Sequence, residues 1–174
     1  MKRALWICVF LVAGCAGLQV QSAHTPAIPA HSRWVVLPFA NNTETPLANE
    51  RAAFTAAAIL QADGQVLTGY LPHASRAQEI LGGNWRARYT KALQAGRASG
   101  ATYGLAGSVN EWGYRAGIDA RPVIGLTMWV VALRTGKVIW SGVGSASGGN
   151  FFTGGTGTLS QRLIRHLIGR VLGQ

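Results

Sequence analysis

The sequence predicts an α/β domain: a mixed central sheet flanked by helices, in the order β-α-β-α-α-β-β-β-α. Three observations carry that reading. In the first half, short apolar runs closed by Pro, Gly or Asn alternate with alanine-rich stretches long enough for helices. From Ala101 the apolar period changes to two, the period of a strand. The chain then closes on an amphipathic segment that ends near Leu172.

Each element follows from local chemistry. Trp34, Val35, Val36 and Leu37 form an apolar run stopped by Pro38, a buried strand. Thr45 and Pro46 read as a helix start, a capping hydroxyl followed by proline. That helix runs to about Ala62 and ends at Asp63 and Gly64. Its alanines allow close approach to a sheet, with Leu47, Phe54, Ile59 and Leu60 filling space. Val66 to Tyr70 is a short strand. Ser75 and Gln78 form a capping-box pattern for a short helix to Leu81. Asn84 caps a further helix, with Trp85, Tyr89 and Leu93 at fourfold spacing, that stops near Gly96.

The second half is β-rich. A strand runs from 101 to 110, a connection follows over 110–119, and a long apolar strand covers 123–133. The turn at Arg134, Thr135, Gly136 and Lys137 makes a hairpin with a return strand that begins at Val138. Segment 142–157 is dense in glycine and reads as a loop, or as a strand with thin faces pressed against a neighbour. The closing helix spans about 158–172. Leu159, Leu163, Leu167 and Val171 form its apolar stripe, and Arg162, Arg165, His166 and Arg170 lie opposite. It packs on the sheet, lies on anionic lipid as basic amphipathic helices do, or enters a partner's groove.

The N-terminus has its own logic. Met1, Lys2 and Arg3 precede about ten apolar residues, too few for a membrane span of about 20 and suited to a secretory signal. The stretch LVAGCAGL over 11–18 places Cys15 after small residues. Val12, Ala13, Gly14 and Cys15 resemble the lipobox of bacterial lipoproteins, which implies lipid on the Cys15 sulfur and cleavage before it. The expected organisation is a signal peptide over 1–14, a lipid-anchored flexible tether over 15–33, and a single periplasmic α/β domain over 34–174. Residues 16–33 carry small residues and prolines without periodicity, and extend at most about 60 Å. Ala16 is not aspartate, which is compatible with delivery to the outer membrane.

Composition narrows the chemistry. Cleavage leaves 160 residues, one domain's worth. It also removes Cys8, so the mature chain can form no internal disulfide and no cysteine-based metal site. The full chain is 48% hydrophobic, only 13% charged, and formally +10. A basic surface suits anionic lipid or nucleic acid, but no stretch interleaves dense Lys/Arg with aromatics, so nucleic acid is not an expected partner. No glycine-rich phosphate loop, metal-like histidine spacing or nucleophile elbow is present. No cofactor is expected. The six acids are Glu44, Glu50, Asp63, Glu79, Glu111 and Asp119, with no compact pair for acid/base work. A catalytic role is not expected.

Two stretches carry a family resemblance. They are VLPFANNTETP over 36–46, followed by NERA over 49–52, and TGKVIWSG over 135–142. With the lipobox and the length, they resemble the PelC family, outer-membrane lipoproteins of Pel exopolysaccharide export systems. The LPF-then-polar start is shared more widely with CsgG and LpoB, a group of CsgG/TolB-N-like fold. The resemblance implies a non-enzymatic ring, a dodecamer, under the outer membrane, guiding a cationic exopolysaccharide to a PelB-like β-barrel. It also implies an acidic inner funnel, for which Asp119 is the candidate and Glu111 a weaker one, and a membrane-facing tryptophan, for which Trp140 is the candidate. A core position for Trp140 stays equally open. A regulator that binds and activates a cell-wall synthase is the alternative function.

Overall fold

The computed structural model describes residues 17–70, 84–116, 120–148 and 154–174. Their elements are β1 (Leu18–Ser22), β2 (Arg33–Val36), β3 (Ala40–Asn41), α1 (Ala48–Ala62), β4 (Val66–Tyr70), α2 (Trp85–Ala98), β5 (Tyr103–Arg115), β6 (Arg121–Ala132), β7 (Lys137–Ser147) and α3 (Thr156–Leu172). Seven strands form one mixed sheet in the order β1-β7-β6-β5-β2-β4, with β3 also paired to β5. The first four strands in that order are antiparallel neighbours, whereas β2 runs parallel to both β5 and β4. The expected short helix over 75–81 and the signal segment 1–14 lie outside the described residues.

Helices α1 and α3 share one face of the sheet. Trp34, Leu105, Val109, Ile124, Leu126, Met128 and Val130 meet Ala52, Ala56 and Leu60 of α1, and Leu163, Ile164 and Leu167 of α3, in one core. Burying each large aliphatic side chain contributes about 2 kcal/mol. Alanines at 48, 52, 53, 56 and 57 are buried, as their density on α1 predicts, whereas Phe54 stays 48% exposed. Helix α2 covers part of the opposite face, where Ala92 packs with Val35, Leu37, Ala106 and Leu133. Trp129 donates from Nε1 to the Tyr89 hydroxyl at 3.1 Å there. The near-continuous apolar character of β6 follows, because side chains of both parities find cover.

Several expectations change. The segment read as a tether contributes β1, which pairs with β7 from Leu18↔Ala146 to Ser22↔Gly142. Beyond it, Thr25 Oγ1 donates to the Arg170 carbonyl at 2.9 Å, and His31 Nδ1 lies 2.9 Å from the Gly64 carbonyl. Polar residues flanking Val20 suit an edge strand with one side chain over the core, and pairing satisfies the backbone groups β7 would otherwise leave open. The strand expected to end at 110 continues to Arg115, so the expected connection over 110–119 is largely strand. Thr45 does not cap α1. Its hydroxyl donates to the Trp112 carbonyl at 2.6 Å, and Leu47 takes the N-cap position with φ 61°. Gly96 lies inside α2, where a β-carbon would come within 2.9 Å of Val35 Cγ1, and the helix ends at Ser99 instead. The glycine-dense stretch is a strand as far as Ser147, with Gly144 pressed against Leu163 and Val20.

Candidate functional site

The site is built where the face opposite α1 and α3 is left without a helix in the structure described. A bulge between Val109 and Glu111 resets the register of β5 against β6. Beyond it Trp112 enters the core, so its neighbour Glu111 faces the other way. Gly125 stands opposite Glu111, and a β-carbon there would lie 3.1 Å from Glu111 Cβ. Glycine thus leaves room for the carboxylate at the closest point of the pair.

Around Glu111 lies a shallow groove of about 520 Å³, lined by Gln19, Gln21, Asn110, Val143 and Ser145 among others. Asn110 anchors it. Its Nδ2 donates to Thr127 Oγ1 at 2.9 Å, while its Oδ1 accepts from Ser108 Oγ at 3.0 Å and Asn42 Nδ2 at 3.1 Å. Arg115 Nη2 sits 3.7 Å from Glu111 Oε1, with the side chains 69% and 43% exposed. A pair that loose and wet contributes little stability, but it does offset part of the local negative charge. The groove offers hydroxyls, amides and one carboxylate, groups that hold a polar ligand, and among its described residues no nucleophile is paired with a base. Among the described residues, no group of three or more His, Cys, Asp or Glu could hold a metal ion.

The other sequence candidates separate. Asp119 and Cys15 lie outside the described residues, Asp119 between the end of β5 and the start of β6. Trp140 is 1% exposed and belongs to the core between sheet and α3, so it is not a membrane-facing ring. It is the fourth residue of β7, on the parity that faces α3, and there the indole fills space that Gly142 vacates. Sequence reasoning missed Gln19, Gln21 and Arg115. The signal for the first two was present: Leu18, Gln19, Val20 and Gln21 alternate apolar and polar, the period of a strand. Arg115 follows Glu111 by four residues, but its reach depends on the extension of β5.

Known proteins share this fold. No protein-family model matches the sequence, and no curated protein matches it. Among solved structures, the PelC dodecamer from Paraburkholderia phytofirmans is 30% identical, with a TM-score of 0.71 over 90% of this chain and 98% of that one. The chain belongs to the PelC family. A single-substitution variant of the same PelC, also a dodecamer, gives 29% identity and a TM-score of 0.73 over 90% of this chain and 99% of its own. Lipoprotein GNA1162 from Neisseria meningitidis shares the fold, at 19% identity and a TM-score of 0.58 over 82% of this chain and 99% of that one. The mixed sheet flanked by helices, expected from the sequence, is therefore that of PelC. In this PelC-family chain its open face carries one described carboxylate, Glu111, paired loosely with Arg115.

Proposed function

We propose that this chain is a non-catalytic subunit of an exopolysaccharide export complex, held by lipid on Cys15 at the periplasmic face of the outer membrane. Copies assemble into a ring that passes a cationic polymer to an outer-membrane β-barrel of PelB type. The observation that carries the reading is the match to PelC, at 30% identity over 90% of the chain, to proteins that are dodecamers. The chain's own features support it. No described helix is long and apolar enough to cross a membrane, and a lipobox-like stretch lies before Gly17. Cleavage after residue 14 with acylation of Cys15 belongs to the same proposal.

The polymer-guiding role falls to Asp119, with Glu111 second because Arg115 competes for it. A ring multiplies such a residue into a collar of carboxylates, which concentrates a cation far more than one subunit can. The test is the mass of the lipidated protein solubilised in detergent. A ring of about the relatives' subunit number is expected, and a strictly monomeric lipidated protein overturns the proposal.

A further inference from the structure

A second surface, distant in sequence from Glu111, is strongly basic. The outward side of α3 and the start of β1 enclose a groove of about 560 Å³, lined by Leu18, Gln161, Arg162, Arg165, His166 and Arg170 among others. Arg162, Arg165 and Arg170 are all exposed, and no Asp or Glu side chain lines the groove. No acid occurs in the sequence from Ala120 to its last residue, Gln174, nor before Glu44. No acidic side chain of these elements neutralises the groove, and the main-chain carboxylate of Gln174, which also lines it, offsets at most one of the three guanidiniums. The acids nearest in the packing order belong to α1, Glu50 in its first turn and Asp63 at its C-cap, and neither lines the groove.

Two constraints fix how this surface can be used. The first is rotational. Leu159, Leu163, Ile164, Leu167, Ile168 and Val171 are at most 3% exposed, so α3 cannot roll its apolar stripe into a bilayer. Only its charged back is free, and that back can meet headgroups without insertion. The second is connectivity. Leu18 is 44% exposed at the groove and follows Cys15 by three residues, a reach of at most about 10 Å. The Thr25 hydroxyl bond to the Arg170 carbonyl fixes the segment after β1 to the C-terminal end of α3. With β1 part of the sheet, the groove and the lipid attachment point cannot drift far apart.

We propose that this groove seats the phosphate headgroups of anionic phospholipids in the leaflet that holds the Cys15 lipid; the inference rests on the anchoring reading above. Guanidinium forks match phosphate oxygens bidentately. Each arginine near an anionic surface is worth about fivefold in partitioning, so the three together give roughly 100-fold. The groove would then set the orientation of each subunit on the membrane, while the acyl chains supply its retention.

The experiment uses the mature lipidated protein in detergent micelles, with bound lipid counted by native mass spectrometry. Phosphatidylglycerol is titrated against phosphatidylcholine, on the wild type and on a variant carrying Arg162→Gln, Arg165→Gln and Arg170→Gln. A second variant, Arg86→Gln, Arg134→Gln and Lys137→Gln, removes the same charge elsewhere. The expected result is a preference for phosphatidylglycerol that falls at least tenfold in the groove variant and survives in the control, with both variants melting like wild type. Equal phosphatidylglycerol binding by wild type and groove variant overturns the proposal. So does full competition by inorganic phosphate at matched concentration, which would mark a simple anion site. Loss of the ring in the groove variant with lipid binding intact also overturns it, because the surface would then be an interface between copies. Intact mass separates the two readings. Absence of lipid on Cys15 fails the anchoring reading and with it the placement at the leaflet, whereas lipid on Cys15 with no anionic preference fails the groove alone.

Discussion

Trp140 lies over Gly142, two residues along the same strand, so closely that a β-carbon at 142 would come within 2.6 Å of the indole Cη2 and 2.8 Å of Cζ2. Leu167 of α3 closes the space from above at 3.2 Å. Gly142→Ala should destabilise the domain by about 1–3 kcal/mol, the usual cost of overpacking a filled core. Urea unfolding reads it as a lower midpoint at unchanged slope, and an unchanged midpoint would show that the indole can move aside.

Two glycines of β5 should respond in opposite ways. A β-carbon at Gly107 meets the Thr127 carbonyl and Phe39 Cε2, both at 2.7 Å, whereas one at Gly113 meets nothing within 4 Å. Backbone cannot yield as a side chain can, so Gly107→Ala should cost about 3 kcal/mol. Gly113→Ala should be neutral or stabilise by up to about 1 kcal/mol, through a less flexible unfolded chain. Thermal melts of the pair check the contrast, and equal losses at both positions would contradict it.

Trp34 is fully buried, and its Nε1 donates to Gln65 Oε1 at 2.9 Å. Gln65→Leu leaves that N–H without its acceptor, a loss of about 1–3 kcal/mol. A double-mutant cycle with Trp34→Phe isolates the bond, because the phenyl ring has no donor to strand. Zero coupling in the cycle would mean that the pair contributes only packing.

Removing β1 should damage the domain. A chain starting at residue 24 exposes the edge of β7 and uncovers Val20's contact with the core. Relative to a chain starting at residue 17, its Tm should fall by about 10 °C, with a greater tendency to aggregate through the open edge. Equal melting of the two would restore residues 17–23 to the role of a tether.

For the proposed export role, Asp119→Lys should stop polymer secretion at normal protein level and normal ring mass. Glu111→Lys should have the smaller effect, since Arg115 already offsets the carboxylate. Secretion assays with immunoblots test both, and unchanged export by Asp119→Lys would remove that residue from the polymer's path.

The sequence by itself determined most of the framework. Alanine density on α1, the Asn84 cap of α2 (its side chain accepts from the Ala87 N–H), the hairpin of β6 and β7, and the arginine-backed stripe of α3 are local properties, written in spacing and propensity. The stretches VLPFANNTETP and TGKVIWSG carried the family. What only the tertiary structure decided depends on partners remote in sequence. Whether residues 18–22 are tether or strand turns on the free edge of β7, roughly 120 residues away. Whether Trp140 faces lipid or core turns on Gly142 and Leu167, which together form its socket. Whether Glu111 stands as an isolated carboxylate turns on β5 continuing past its bulge to Arg115, whose guanidinium reaches the carboxylate. Local chemistry can specify an element and its faces. Which face is covered, and by what, is settled only when the strands pair and the helices take their places on the sheet.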